Sequence, residues 1–231
     1  MQRLYPSRRQ WALCMLCALL LAALPATPST ATTPLDPCTL LCYVDGVTGA
    51  DSNDGSSPAT AKRTIQAALN QVAIGGEVLV APATYHEDVR LEKASITLRS
   101  STGPTATIIS GIPGGSDATV RLDANATTLD GFTITSQPAP DANLYGIKTL
   151  AATSGQSINN MLVVGNHTGL ALYPSQGLSV ANNRIILNWR GIYLAPASID
   201  SLQGHTDYTF THNEIAHNRT IGFLIDHAVQ D

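Results

Sequence analysis

Beyond residue 76 the apolar positions fall in short alternating runs: Glu77-Val78-Leu79-Val80, Ser95-Ile96-Thr97-Leu98, Ala106-Thr107-Ile108-Ile109, Thr119-Val120-Arg121-Leu122 and Phe132-Thr133-Ile134. Gly, Asn, Pro and Ser separate them. Alternation over four residues bounded by turn formers predicts strands, stacked either as a β solenoid or as a sandwich. One earlier segment has another period. Ile65, Ala68, Leu69 and Val72 recur at i, i+3, i+4 and i+7, which predicts a helix over about 64–73 with one apolar face, stopped by Gly75-Gly76.

The second half decides between solenoid and sandwich, because it repeats. Gly146-Ile147-Lys148, Gly169-Leu170-Ala171-Leu172, Gly191-Ile192-Tyr193-Leu194 and Gly222-Phe223-Leu224-Ile225 align in one column, spaced 23, 22 and 31 residues apart. The excess in the last step falls in 196–205, read as a loop bulging from one turn. A second column holds Asn160-Met161-Leu162, Asn183-Arg184-Ile185 and Asn213-Glu214-Ile215, and a third holds Asn166, Asn188 and Asn218. A period near 22 with two or three strands per turn suits a parallel β-helix, each coil pairing only with neighbours about 4.8 Å away. Asn tolerates a left-handed corner and bonds along the stack, and Gly permits a tight bend into the next strand. Ile147, Leu170, Leu172, Ile192, Leu194, Phe223 and Ile225 are then expected to point inward.

The chain has 231 residues, 44% of them apolar, and a net charge of -4, which suits one domain with a real core. Charged residues are only 13% and no Lys/Arg run follows Arg9, so nucleic acid is not an expected partner. Arg3, Arg8 and Arg9 precede an apolar run over 11–24 that is too short to span a bilayer and is followed by small residues, as in an export signal. The expected organisation is a signal peptide over 1–31, a Thr/Pro-rich linker over 32–42 and the β-helix over 43–231, with no membrane span in the mature chain and a secreted or cell-surface location. Cys38 and Cys42 are placed to close a small disulfide loop in an oxidising compartment, or to stay unpaired. Two thiols without neighbouring ligands do not complete a metal shell, so no metal site is expected there.

At Tyr43-Val44-Asp45, Asp51-Ser52-Asn53-Asp54-Gly55, Thr64-Ile65-Gln66-Ala67-Ala68-Leu69 and Gly76-Glu77-Val78-Leu79-Val80-Ala81-Pro82 with Thr84-Tyr85, the sequence resembles the opening of pectate-lyase-like right-handed β-helix proteins. The resemblance covers nearly the whole mature chain. It implies an all-β, right-handed parallel β-helix whose short N-terminal helix caps the solenoid, and a polysaccharide partner; calcium is implied by the resemblance alone. Its members include lyases, hydrolases, epimerases and surface proteins without chemistry, so the fold carries no single activity. The repeat strands here present few carboxylates for a calcium-dependent lyase, and Asp130-Gly131-Phe132 has no acidic partner in view for paired-carboxylate hydrolysis.

Positions alternating with the inward set expose Lys148, Tyr173, Tyr193, Leu224 and Asp226, a face able to stack sugar rings and bond their hydroxyls, or an ordinary solvent face. Trp189, in the corner Asn188-Trp189-Arg190-Gly191, is a ligand platform or a cover for the solenoid edge. The run Asp51, Asn53, Asp54 reads as a turn and the scattered histidines as structural. Asn125, Asn166 and Asn218 head Asn-x-Thr triplets, glycosylation acceptors only in a eukaryotic secretory path. Two function classes stand: an enzyme acting on extracellular polysaccharide, catalytic residues unassigned, and a non-catalytic surface or adhesion module. Only a few residues follow Gly222-Phe223-Leu224-Ile225, so the expectation is that C-terminal coils are missing or that a partner covers the open end.

Overall fold

The computed structural model describes residues 38–136, 145–196 and 204–225. The expected signal peptide and most of the linker, the loop core at 197–203, and Asp226 lie outside the described residues.

Three long parallel sheets, with a two-stranded one of Thr153–Ser154 and Ser175–Gln176, wrap the described chain into coils. The first contains Leu41–Val44, Glu77–Val80, Thr97–Ser100, Thr128–Asp130, Ser157–Asn159, Ser179–Ala181 and Thr209–Thr211. The second contains Ala83–His86, Thr107–Gly111, Thr133–Ser136, Leu162–Val164, Arg184–Ile186 and Glu214–Ala216. The third contains Val89–Leu91, Ala118–Leu122, Tyr145–Thr149, Thr168–Leu172, Arg190–Leu194 and Ile221–Ile225. Each strand pairs with the equivalent strand of the next coil, as a β-helix requires. The sheets enclose one column of apolar side chains: Val78, Leu98, Leu129, Ile158 and Val180 from the first, Ile109, Ile134, Val163 and Ile185 from the second, Val120, Ile147, Leu170 and Ile192 from the third, all fully buried. Each such side chain contributes roughly 1.5–3 kcal/mol by leaving water.

The glycine column aligns as expected, since Ile147 pairs with Leu170, Leu170 with Ile192 and Ile192 with Phe223. The second asparagine column is corrected by one residue. Leu162 pairs with Arg184, so Met161, not Asn160, stands opposite Asn183. Asn160 instead shares a left-handed corner position with Gly131, Asn182 and His212, where a short amide side chain tolerates positive φ. Inward pointing gives burial at Ile147, Leu170, Leu172 and Ile192, whereas Phe223 and Ile225 on the last described strand of that sheet remain 39% and 48% exposed.

The helix runs over Ile65–Gln71, with Thr64 as its N-cap accepting from the Ala67 N–H. Two carboxylates reinforce that end: Asp51 accepts from the N–H groups of Arg63 and Thr64, and Glu87 from those of Ile65 and Gln66. At the other end Lys93 Nζ donates to the carbonyls of Asn70 and Val72. Its face of Ile65, Ala68 and Leu69 packs onto Leu41–Val44, Glu77–Val80 and Val89–Leu91, closing the first coil. Cys38 and Cys42 form a disulfide in that buried layer, which resolves the open reading of the pair. The first strand starts at Leu41, so residues 38–42 belong to the folded body rather than to a linker.

Candidate functional site

The outward column of the third sheet runs Arg90, Arg121, Lys148, Ala171, Tyr193 and Leu224 in direct register. Cations occupy the first three rungs, and opposite charges interleave with them. Lys148 Nζ lies 2.6 Å from Asp117 Oδ2, and Arg121 Nη1 lies 3.4 Å from the other oxygen of that carboxylate. Arg121 Nε reaches Asp123, which also accepts from Arg90, and Arg90 pairs with Glu92. The chain of charges is balanced, so the face does not act as a strong attractor of polyanions.

Aromatic rings gather around the last cation. Lys148 Nζ sits 4.8 Å from the centre of the Tyr173 ring and 5.5 Å from that of Tyr145. The lysine side chain is only 15% exposed, so the ammonium is held between the rings and the Asp117 carboxylate, a geometry in which cation–π attraction is strengthened by loss of water. Ala171, outward by register yet fully buried, lies beneath these larger neighbours. Tyr173 is fixed through its backbone: its N–H donates to Thr149 Oγ1, and its carbonyl accepts from the Tyr208 hydroxyl. Burial, then the charge and hydrogen bond of Tyr173 and the charges of Tyr193 and Asp117, push the Tyr145 phenol up to about 12. Tyr145, Tyr173 and Tyr193 thus form one interacting cluster.

Burial raises the Asp117 carboxyl, but the hydrogen bond and charge of Lys148, with the charge of Arg121, outweigh it and hold the group below the usual carboxylate range. A depressed folded value stabilises the fold above the unfolded pKa, and the contribution is lost as pH falls through the folded value. Asp117 is partly exposed, so the effect is small. Asp117→Asn is expected to cost under about 1 kcal/mol at neutral pH, and urea titrations in acid should show the two proteins converging.

Of the residues singled out in the sequence, Lys148, Tyr173 and Tyr193 come together here. Tyr145 and Asp117 join them without having been singled out. Trp189 lies elsewhere, at the corner before Arg190–Leu194, with its ring stacked on His167 and under Arg219. Asp226 is outside the described residues. The calcium implied by resemblance does not fit this donor set, because Asp117 and Asp123 are both engaged by cationic side chains; among the described residues no group of three or more His, Cys, Asp or Glu gathers as a metal site.

The family described as "Right handed beta helix region" matches residues 97–229, more than half of the chain. The chain belongs to this right-handed β-helix family. Two solved structures are similar. Pectin methylesterase PemA from Erwinia chrysanthemi has a TM-score of 0.51 at 13% identity, over 68% of this chain and 50% of that one. A pectin methylesterase in complex with hexasaccharide VII has a TM-score of 0.53 at 14% identity, over 74% of this chain and 53% of that one. This chain thus spans about half the length of each, and at such identities the likeness establishes the fold, in agreement with the pectate-lyase-like resemblance of its opening motifs. No curated protein matches.

Proposed function

We propose that this chain is an exported, polysaccharide-binding β-helix whose contact surface is the tyrosine–lysine face of the third sheet. The observation that carries the reading is the Lys148 ammonium lodged between the Tyr145 and Tyr173 rings and pinned by Asp117. Flat rings stack on the apolar faces of sugars, and the fixed ammonium, carboxylate and phenols bond their hydroxyls. Export is supported by the Cys38–Cys42 disulfide, which suits an oxidising compartment. A similar fold holds a hexasaccharide in the second comparison structure, which supports a glycan as partner. Binding is what the geometry favours over cleavage, because the carboxylates of the face are engaged by cations rather than poised as an acid–base pair.

Replacing Tyr173 and Tyr193 together by Ala is expected to weaken binding to a polysaccharide panel by about tenfold or more, at one or two stacking contacts of about 1 kcal/mol each. The β-rich circular dichroism should not change. Pull-down and calorimetry against pectin, polygalacturonate and neutral glucans make the comparison, with new reducing ends and released methanol recorded in parallel. Undiminished binding in the double variant removes this face from the reading, and product formation moves the protein to the enzyme class.

A further inference from the structure

Away from the tyrosine face, the corner that leads into the third sheet carries a second ordered ladder. Asn166, Asn188 and Asn218 stack beneath it: Asn188 Oδ1 accepts from the Asn166 backbone N–H and Asn218 Oδ1 from that of Asn188. The next residue in each coil is His167, Trp189 and Arg219. Their backbones are locked in register, because Arg190 N–H donates to the His167 carbonyl and Thr220 N–H to that of Trp189. The Trp189 ring lies 7° from parallel to His167 with centres 6.2 Å apart, and the Arg219 guanidinium carbon stands 4.4 Å over the indole. Trp189 is 39% exposed and the preceding Leu187 is 61% exposed. Leu187 takes the left-handed conformation, φ 57, that Gly165 and His217 take at the same corner of the neighbouring coils.

What distinguishes this corner is the state of its cations. Arg90, Arg99, Arg121, Lys148 and Arg184 are in ion pairs, and Lys62 and Lys93 donate to backbone carbonyls. Arg63 beside the helix aside, only the side chains of Arg190 and Arg219 have no acceptor among the described residues. A guanidinium centred 4.4 Å over an indole is held by cation–π attraction and, without an acceptor among the described residues, keeps its N–H groups for a carboxylate, whose geometry its fork matches. The stack also holds that fork in place, so less side-chain entropy is lost when an anion arrives.

We propose that this corner is a second glycan contact, separate from the tyrosine face, at which Arg219, held over Trp189, takes the carboxylate of a uronic acid unit. The proposal rests on the reading that the partner is a polysaccharide, and adds that the polysaccharide is acidic at this position.

The purified full chain, its Arg219→Gln and Arg219→Lys variants, and the Tyr173/Tyr193 double variant are compared by calorimetry against polygalacturonate, fully methyl-esterified pectin, a neutral glucan and dextran sulfate. Arg219→Gln is expected to weaken polygalacturonate binding about tenfold, the loss of one charge-assisted contact. The neutral glucan and the esterified pectin should be bound equally well by wild type and variant. Arg219→Lys restores only part of the affinity, because an ammonium stacks poorly and offers no fork. Circular dichroism controls for folding.

Equal losses for charged and neutral glycans, or no loss for polygalacturonate, overturn the corner as a uronate contact. Binding of dextran sulfate, a polyanion without carboxylates, as tight as that of polygalacturonate, with the same Arg219 dependence, replaces the uronate by any anion and overturns the stated class. If Arg219→Gln is silent while the tyrosine variant loses binding, only this inference fails; if no glycan binds wild type, the proposed function fails with it.

Discussion

Gly191→Ala is expected to destabilise the protein by about 3 kcal/mol or more, seen as a lower urea midpoint with the β-rich spectrum retained at low denaturant. A Cβ added at Gly191 would lie 2.3 Å from the Gly222 carbonyl oxygen of the next coil, 2.8 Å from Asn218 Nδ2 and 3.0 Å from an Ile215 methyl. The nearest of these is backbone inside the parallel ladder, which moves only by breaking its own pairing. The same collision recurs down the column: at Gly169 the Cβ meets the Gly191 carbonyl at 2.7 Å, and at Gly146 the Gly169 carbonyl at 2.8 Å. Gly103→Ala provides the contrast. Its site has φ +88 and nothing within 4 Å, so the substitution suffers only backbone strain of about 1 kcal/mol. Similar losses at Gly103 and Gly191 would mean that close approach between coils does not shape this column.

The glycine column was legible in the sequence, but its physical reason was not. A bend into the following strand was the expected role; Gly146, Gly169 and Gly191 instead have ordinary φ and are small because the next coil's carbonyl passes over them. Spacing alone reveals that a position repeats, not which neighbour presses on it. The asparagine columns show the same limit. Asn166, Asn188 and Asn218 were placed correctly, whereas Asn160 was set opposite Asn183, because two adjacent asparagines at 182 and 183 offer two alignments and only the pairing of Leu162 with Arg184 chooses between them. In the first half no period was readable: Glu77 pairs with Thr97 but Thr97 with Thr128, coils of unequal length that hide the register.

The candidate face was partly legible for a related reason. Lys148, Tyr173 and Tyr193 lie in or beside the repeating column, so alternation alone turned them outward. Tyr145 occupies a position filled by Thr168, Arg190 and Ile221 in later coils, a column without chemical pattern. Asp117 belongs to the half whose register was hidden. Of the three residues that hold Lys148, the repeat carried Tyr173 but not Tyr145 or Asp117. At Trp189 the alignment of Asn166, Asn188 and Asn218 already set His167 and Arg219 in the neighbouring coils; that ring and guanidinium turn toward the indole was not readable from spacing.

Asn188→Ala is expected to cost about 3–5 kcal/mol, because it empties a site with five hydrogen bonds in a fully buried position. Asn188 Oδ1 accepts from both the backbone N–H and the side-chain amide of Asn166. Its Nδ2 donates to the carbonyls of Val163 and Ile186 and to Asn218 Oδ1. Alanine supplies none of these, and donors left dry in the interior cost more than the bonds themselves are worth. Asn188→Asp separates the two halves of the network: the acceptors for Asn166 persist, but a buried carboxylate then faces two carbonyls. Burial raises its pKa, so the variant should be most stable below the ordinary carboxylate range and lose stability as pH rises through the folded value. Asn213→Ala, in the other asparagine column, where the side chain is only part-buried and bonds to Asn183 and Val180, should cost less than Asn188→Ala in the same urea titration. The location matters for function as well as stability, since Asn188 lies directly beneath Trp189 and Arg219. Asn188→Ala should therefore weaken polygalacturonate binding at concentrations where the variant is still folded, while Asn213→Ala should not; equal and small effects from both would reduce the ladder to a passive filling of the corners and leave the alignment of Trp189 with Arg219 to the backbone pairing alone.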